Sequence, residues 1–273
     1  MNYIFKVLIL TLVVAACSKE KTTADKTGEG KLPDNRPELR VMTYNIHHCN
    51  PPAKAGVIDV AAIAKVINEA GVDLVALQEV DVFTERSGKT LDQAKELGHL
   101  TNMHYFFAKA INTGGGEYGV AILSKYPILE SQQISLPMKS GFPGEQRVLA
   151  WVTIELQNNK KIIFASTHLD TKDHRLVQAE KITEVFRDKP YPVILGGDFN
   201  DGPGSEPINH LDQHFSRTCK HSCFNTAPAD FPTKAIDLLF YKSLNSFEVV
   251  KNYAVLQKTA SDHLPLVAHL KVN

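Results

Sequence analysis

Three stretches of this chain are almost unbroken apolar runs that stop at a polar cluster: VDLVALQE, KIIFASTHLD and YPVILGGDFN. A strand that is apolar at nearly every position has to be covered on both faces, which excludes a sheet with one wet side. LRVMTYN closes in the same way. The polar ends read Tyr44-Asn45, Gln78-Glu79, Thr167-His168-Leu169-Asp170 and Gly197-Asp198-Phe199-Asn200, and Ser261-Asp262-His263 adjoins another apolar run. Carboxylates and histidines delivered at the ends of several strands point to one assembled site. Oxygen donors with imidazole, and no thiolate cluster, suit a hard divalent ion such as Mg²⁺ or Mn²⁺ and phosphate chemistry.

Periodicity fills in the order of elements. Strands are expected at about 39–46, 73–78, 104–110, 118–124, 128–136, 147–156, 161–167, 192–197, 236–241, 247–255 and 264–271. Helices are expected at about 58–70, where Val60, Ile63, Ala64 and Ile67 share a face and Gly71 is the stop, and at about 90–99, 174–187 and 206–213. Helices interleave with only some strands, and the middle of the chain is consecutive strands. The expected fold is α/β: a four-layer α/β/β/α sandwich of two packed mixed sheets with helices outside.

Lys6 precedes the run VLILTLVVAA, which is too short to span a bilayer as a mature helix and ends at Val14-Ala15-Ala16-Cys17. This resembles the lipobox of a bacterial lipoprotein, with an ordinary secretory signal as the alternative. The domains expected are a signal peptide over 1–16, a lipidated Cys17 with a polar tether to 38, and one catalytic domain over 39–273. The protein is then exported and held at a membrane surface through Cys17, and a monomer is expected. Cys219 and Cys223 read as a disulfide in an exported protein, with a zinc site using His214 and His221 as the competitor. Cys49 reads as a buried or free thiol.

Lys+Arg and Asp+Glu number 30 each, so no strongly basic nucleic-acid footprint exists. Lys125, Lys172, Arg175 and Lys181 are the basic residues expected near a site rim.

In type and order the polar clusters resemble those of the endonuclease/exonuclease/phosphatase superfamily, and the resemblance covers about residues 39–271. The resemblance implies that Glu79 is a metal ligand, with Asn45 supporting metal and phosphate and Asp262 lying near the metal. It implies that Asp198 positions or activates the attacking water and that Asn200 assists. By the same resemblance His263 contacts the scissile phosphate and is oriented by Asp237. His168 is implied as a second histidine flanking the phosphate, with Asp170 as its neighbour. Tyr118 is implied to offer a hydroxyl to phosphate, and Glu117 to orient a histidine.

The residues alone leave other readings open. Asn45 suits a turn, Asp237 a strand start, and Asp198 with Asn200 an Asx turn. If that last segment is extended, Asp198 and Asn200 point to the same side. Gly114-Gly115-Gly116 also reads as a mobile loop. Arg147 reads equally as a site residue and as the ion-pair partner of Glu145.

The expected activity is a Mg²⁺- or Mn²⁺-dependent phosphoesterase, in particular a phosphodiesterase using in-line attack by water. Its substrate is a phosphodiester: a lipid headgroup, a small diester or a nucleic acid. A metal-dependent nuclease and a non-catalytic ligand-binding lipoprotein are the alternatives. GxSxG, HExxH and P-loop motifs are absent, which removes serine hydrolase, zincin and NTPase chemistry.

Overall fold

The computed structural model describes Asp34 and residues 36–273 except 158, 221 and 244. The leader, Cys17, the tether up to residue 33 and His221 lie outside these residues. In chain order the elements are β1 (Glu38–Asn45), α1 (Val60–Ala70), β2 (Leu74–Val82), α2 (Gln93–Thr101), β3 (His104–Thr113), β4 (Gly116–Ser124), β5 (Ile128–Ser135) and β6 (Val148–Glu155). They continue with β7 (Lys161–His168), α3 (Arg175–Phe186), β8 (Val193–Asp198), α4 (Glu206–Asp212), β9 (Ser216–Arg217), β10 (Asp237–Lys242), β11 (Phe247–Ala254) and β12 (Leu266–Val272).

The strands form two six-stranded sheets, ordered β11-β12-β1-β2-β4-β3 and β5-β6-β7-β8-β10-β9. Each is antiparallel except for one central parallel pair, β1 with β2 and β7 with β8. The unbroken apolar runs are explained by what covers each face. On β1 and β2, Leu39, Val41, Leu74 and Ala76 face the other sheet, packing with Val152, Phe164, Ile194 and Leu239. Alternate residues Met42, Tyr44, Val75 and Leu77 pack under Ile63, Val66 and Ile67 of α1. On the second sheet Ile163, Ala165, Val193 and Leu195 lie under Ala179, Ile182 and Phe186 of α3 and Ile208 and Leu211 of α4. Three apolar layers between four structural layers make the α/β/β/α sandwich. Each aliphatic side chain taken out of water contributes about 1.5–3 kcal/mol.

Three local features depart from the expectation. β2 does not end at residue 78 but continues to Val82, with its register against β4 slipping between Leu77 and Val80. The Gly114-Gly115 stretch is a tight hairpin turn, not a loop. Thr113 pairs with Gly116, and both turn residues have positive φ (53° and 75°), as a two-residue turn matching strand twist requires. The two-residue strand β9 pairs with β10 but is too short to leave a periodic signal. Cys219 and Cys223 form a disulfide, so no zinc ligand comes from these thiols. Cys49 is a free, buried thiol.

Candidate active site

The two parallel pairs set the site. β1 runs through α1 into β2, and β7 runs through α3 into β8. In open α/β sheets ligands gather beyond the carboxyl ends of parallel strands. Here the carboxyl end of β1 carries Asn45, and β7 and β8 end side by side at His168 and Asp198. β10 begins at Asp237, directly opposite Asp198. The two sheets come close at this end because the facing residues are small. A Cβ on Gly196 would lie 2.9 Å from Ala76 Cβ and 3.1 Å from Thr43 Cβ of the opposite sheet. That approach lets Asn45 Nδ2 donate to Asp198 Oδ2 across the sandwich at 3.0 Å, and to Glu79 Oε1 at 3.1 Å.

Asp198 is the hub, buried to 1% exposure. Asn200 is not on an extended segment. Its φ is +50°, and its backbone N–H donates to Asp198 Oδ1 at 2.8 Å, so an Asx turn brings the two side chains together. The turn reading and the site reading therefore describe one arrangement. Asn200 Nδ2 lies 2.9 Å from His168 Nε2 and donates to Leu169 O. His168 Nε2 is 3.5 Å from Asp198 Oδ2, while Arg147 Nη1 lies 3.2 Å from its Nδ1. Burial first, and then the Arg147 charge, pull the His168 pKa down to about 3, so this imidazole is neutral. Burial and the neighbouring Asp237 hold the Asp198 carboxyl above the usual carboxylate range.

His263 has the opposite character. Burial would lower its pKa, but Asp237, whose Oδ2 lies 2.8 Å from Nδ1, and then Asp198 and Asp262 raise it to about 10. Thr226 Oγ1 donates to the same Asp237 oxygen at 2.5 Å and fixes the carboxylate. His263 Nε2 stands 3.9 Å from Asp198 Oδ2. Asp262 diverges from its neighbour: its carboxylate accepts from Ser261 Oγ at 3.4 Å, and that hydroxyl also donates to Asn45 O at 2.7 Å.

Glu79 sits at the bulge in β2 with φ +58°, so its side chain leaves the pleat instead of ending the strand. Burial would raise its pKa. His48, Asn45 and the neighbouring imidazoles outweigh burial and hold the group well below the usual carboxylate range. It stays anionic, as a metal ligand must. His48 Nδ1 is 3.9 Å from Glu79 Oε2, ion-pair range rather than a hydrogen bond. Among the described residues, metal-like groupings occur at His47, His48 and Glu79 and at Asp198, Asp237 and His263. Asp262 belongs to neither. The donor set at Glu79 fits a divalent cation: an ionised carboxylate and two imidazoles converge there, and Asn45 Nδ2 steadies the carboxylate by donating to Oε1.

The remaining assignments divide. Tyr118 is buried, shares a recess with Arg147 and His168, and lies under Arg86 with the guanidinium 5.4 Å from its ring centroid. Burial, then the Glu79 charge, keep its hydroxyl protonated. Arg147 satisfies both readings, meeting His168 and also Glu145 at 3.2 Å. Asp170 is buried beside Arg147 and His174, each at 3.9 Å. Glu117 pairs with Lys109 at 3.2 Å and orients no histidine. Lys125 pairs with Asp73 just before β2 begins, at the end of the strand away from Glu79, so it is not a rim residue. Lys181 pairs with Glu184 one turn along α3, whereas Arg175 meets Asp201 next to Asn200. Sequence reasoning passed over Thr226, His47 and His48. The histidine pair comes directly after Asn45-Ile46, and that adjacency to a strand-end cluster is a signal the sequence already carries.

The family model for the endonuclease/exonuclease/phosphatase family matches residues 42–263, and the chain belongs to that family. Members of this family are hydrolases of phosphate esters that in general use divalent metals. A curated relative, an inositol phosphosphingolipids phospholipase C of Schizosaccharomyces pombe, is 26% identical over 194 residues. The match takes 64% of this chain but only 44% of the relative, so it spans less than half of that protein's length. An endonuclease/exonuclease/phosphatase from Beutenbergia cavernae superposes with a TM-score of 0.70 at 24% identity, over 87% of this chain and 72% of that one. A mannosyl-6-phosphatase of Bacteroides thetaiotaomicron gives 0.65 at 20% identity, over 85% and 99%. At these identities the structural likenesses show the fold alone.

Proposed function

We propose that this protein is a divalent-metal-dependent phosphodiesterase that cleaves a lipid headgroup or small phosphodiester by in-line attack of water, acting outside the cytoplasm from a lipid anchor at Cys17. The observation that carries the reading is the placement of a buried Asp198 between a cationic imidazole and a neutral one, His263 and His168. In this reading Asp198 orients the water and takes its proton, for which a raised carboxyl pKa is suited. Asn200 supplies an amide to the water or to a phosphate oxygen. His263, held charged by Asp237, faces the charge that grows on the phosphoryl oxygens, and His168 and Tyr118 donate on the other side. Glu79 and Asn45, with Asp262 nearby, would hold Mg²⁺ or Mn²⁺. An ion held there would neutralise phosphate charge and polarise a phosphoryl oxygen.

The name of the fission-yeast relative supports a lipid headgroup as substrate, and the balanced charge of the chain argues against a polyanion track. The test is turnover by the detergent-solubilised full chain with Mn²⁺ or Mg²⁺ and with EDTA, on sphingomyelin, phosphatidylinositol, a chromogenic phosphodiester and duplex DNA. Metal-dependent cleavage of the lipid or small diester is expected. Full activity after exhaustive chelation would remove the metal. Efficient cleavage of DNA with a steep loss as salt rises, about 0.9 log units per log unit of salt for each phosphate contacted, would make the protein a nuclease instead.

A further inference from the structure

Between β1 and α1 the chain turns in a way L-residues rarely adopt. His47, His48 and Cys49 all have positive φ, at 46°, 42° and 57°. Each such residue costs on the order of 1–3 kcal/mol and persists only where its surroundings over-determine it. They do so here. His47 N donates to Asn45 Oδ1 at 3.1 Å, Cys49 N to Ile46 O at 2.8 Å, and Gln93 Nε2 to His48 O at 2.7 Å. Asn50 Nδ2 closes the strap onto Lys54 O and Val57 O at 3.0 and 2.7 Å.

The turn directs two imidazoles at Glu79. One ligand atom each from His47, His48 and Glu79 lie within 4.8 Å of one another. His48 Nδ1 is buried without a hydrogen-bond partner, 3.9 Å from Glu79 Oε2. His47 Nδ1 lies 3.0 Å from Asn50 O, which leaves Nε2 as the nitrogen with the free lone pair. Bonds of about 2.1 Å to a tetrahedral ion set ligand atoms about 3.4 Å apart, so closing on an ion shortens the 3.9 Å His48–Glu79 pair by about 0.5 Å and the pairs with His47, all within 4.8 Å, by no more than about 1.4 Å. Two imidazoles with one carboxylate are not the donor set of Mg²⁺, which takes oxygen ligands and keeps its waters.

We propose that His47, His48 and Glu79 form a mixed imidazole–carboxylate site that selects a divalent transition ion, of the Mn²⁺, Co²⁺ or Zn²⁺ class, over Mg²⁺. The proposal rests on the reading of Glu79 as a metal ligand and adds the imidazoles to it.

The experiment is titration of the metal-free, detergent-solubilised full chain with Co²⁺. Visible absorption and nitrogen couplings in pulsed electron paramagnetic resonance are the readouts, with Mg²⁺ as competitor. The variants are His48→Gly, His48→Asn, His47→Asn and Glu79→Gln. Glycine and asparagine tolerate the left-handed backbone, and melting curves check that each variant folds. The wild type should show imidazole nitrogens on Co²⁺ that excess Mg²⁺ does not displace. Removing either histidine should weaken Co²⁺ by about 10- to 100-fold or more, because even a group that only orients a ligand costs that much. If the histidine variants bind Co²⁺ as the wild type does while Glu79→Gln does not, the imidazole site falls and the Glu79 reading stands. If Glu79→Gln also binds normally, both fall.

Discussion

His263 and His168 stand beside the same carboxylate, and their surroundings give them opposite charge. Asp237 makes His263 a cation up to about pH 10, while Arg147 and burial keep His168 neutral down to about 3. A charged group facing the phosphoryl oxygens contributes more than a neutral donor. His263→Ala is therefore expected to lower kcat by about 10²–10⁴-fold and His168→Ala by less, measured by steady-state kinetics on the folded variants. Equal losses would mean that the charge difference plays no part. Asp81 offers a second residue-scale test, read on stability and not on turnover. Burial opposes its ionisation, but hydrogen bonds from Arg86, Ser87 and Thr84, at 2.6–2.8 Å, outweigh burial and lower its pKa. A depressed folded-state value means the stabilisation is present above the unfolded value, about 3.9, and disappears as pH falls through the lower folded one. Asp81→Asn should cost about 1–3 kcal/mol at neutral pH. The gap between its Tm and that of the wild type should close below about pH 4. A gap independent of pH would contradict the ionic account.

At the scale of elements, the site depends on how closely β8 approaches β1 and β2. Gly196 allows it: a Cβ there would also meet Leu239 Cδ2 at 3.2 Å, besides Ala76 and Thr43. Gly196→Val places two further methyls into that contact. Overpacking of this kind costs about 1–3 kcal/mol. It also pushes apart the strand ends that carry Asn45 and Asp198. We expect a Tm lower by several degrees and a kcat lower by about 10²-fold, since a displacement near 1 Å is enough for that loss. An unchanged kcat alongside a lowered Tm would mean that the sheet spacing does not set the site. The elements themselves were largely legible. Strands from VDLVALQ, KIIFASTH and YPVILGG declare themselves by apolar runs, and α1 by its periodicity and by Gly71, which takes the left-handed cap with φ 62°. The bulge at Glu79 was not legible, because its cause is the register of β2 against β4, a partner that local pattern does not name.

For the whole molecule, the reading of residues 1–38 as leader, lipidated Cys17 and tether is a proposal with its own test. Cys17→Ser should move the protein from membrane to soluble fractions without loss of activity on a soluble diester, because each buried CH₂ of an acyl chain contributes about 0.8 kcal/mol to anchoring. A mutant still in the membrane fraction would mean another anchor. Within the folded domain, the sequence by itself determined which segments are strands, the two-residue β9 excepted, that both faces of the sheets are covered, and which polar residues end them, except on β2, which runs on past Glu79 to Val82. Each of these is written in a local run of side chains. Only the tertiary structure decided that Asn45 bonds Asp198 from 153 residues away, that Arg147 holds His168, and that His47 and His48 turn toward Glu79. Those contacts arise from two sheets packing face to face and from a strap held by Asn50 and Gln93. Their partners are distant in the chain, and no period of 2 or 3.6 residues encodes them.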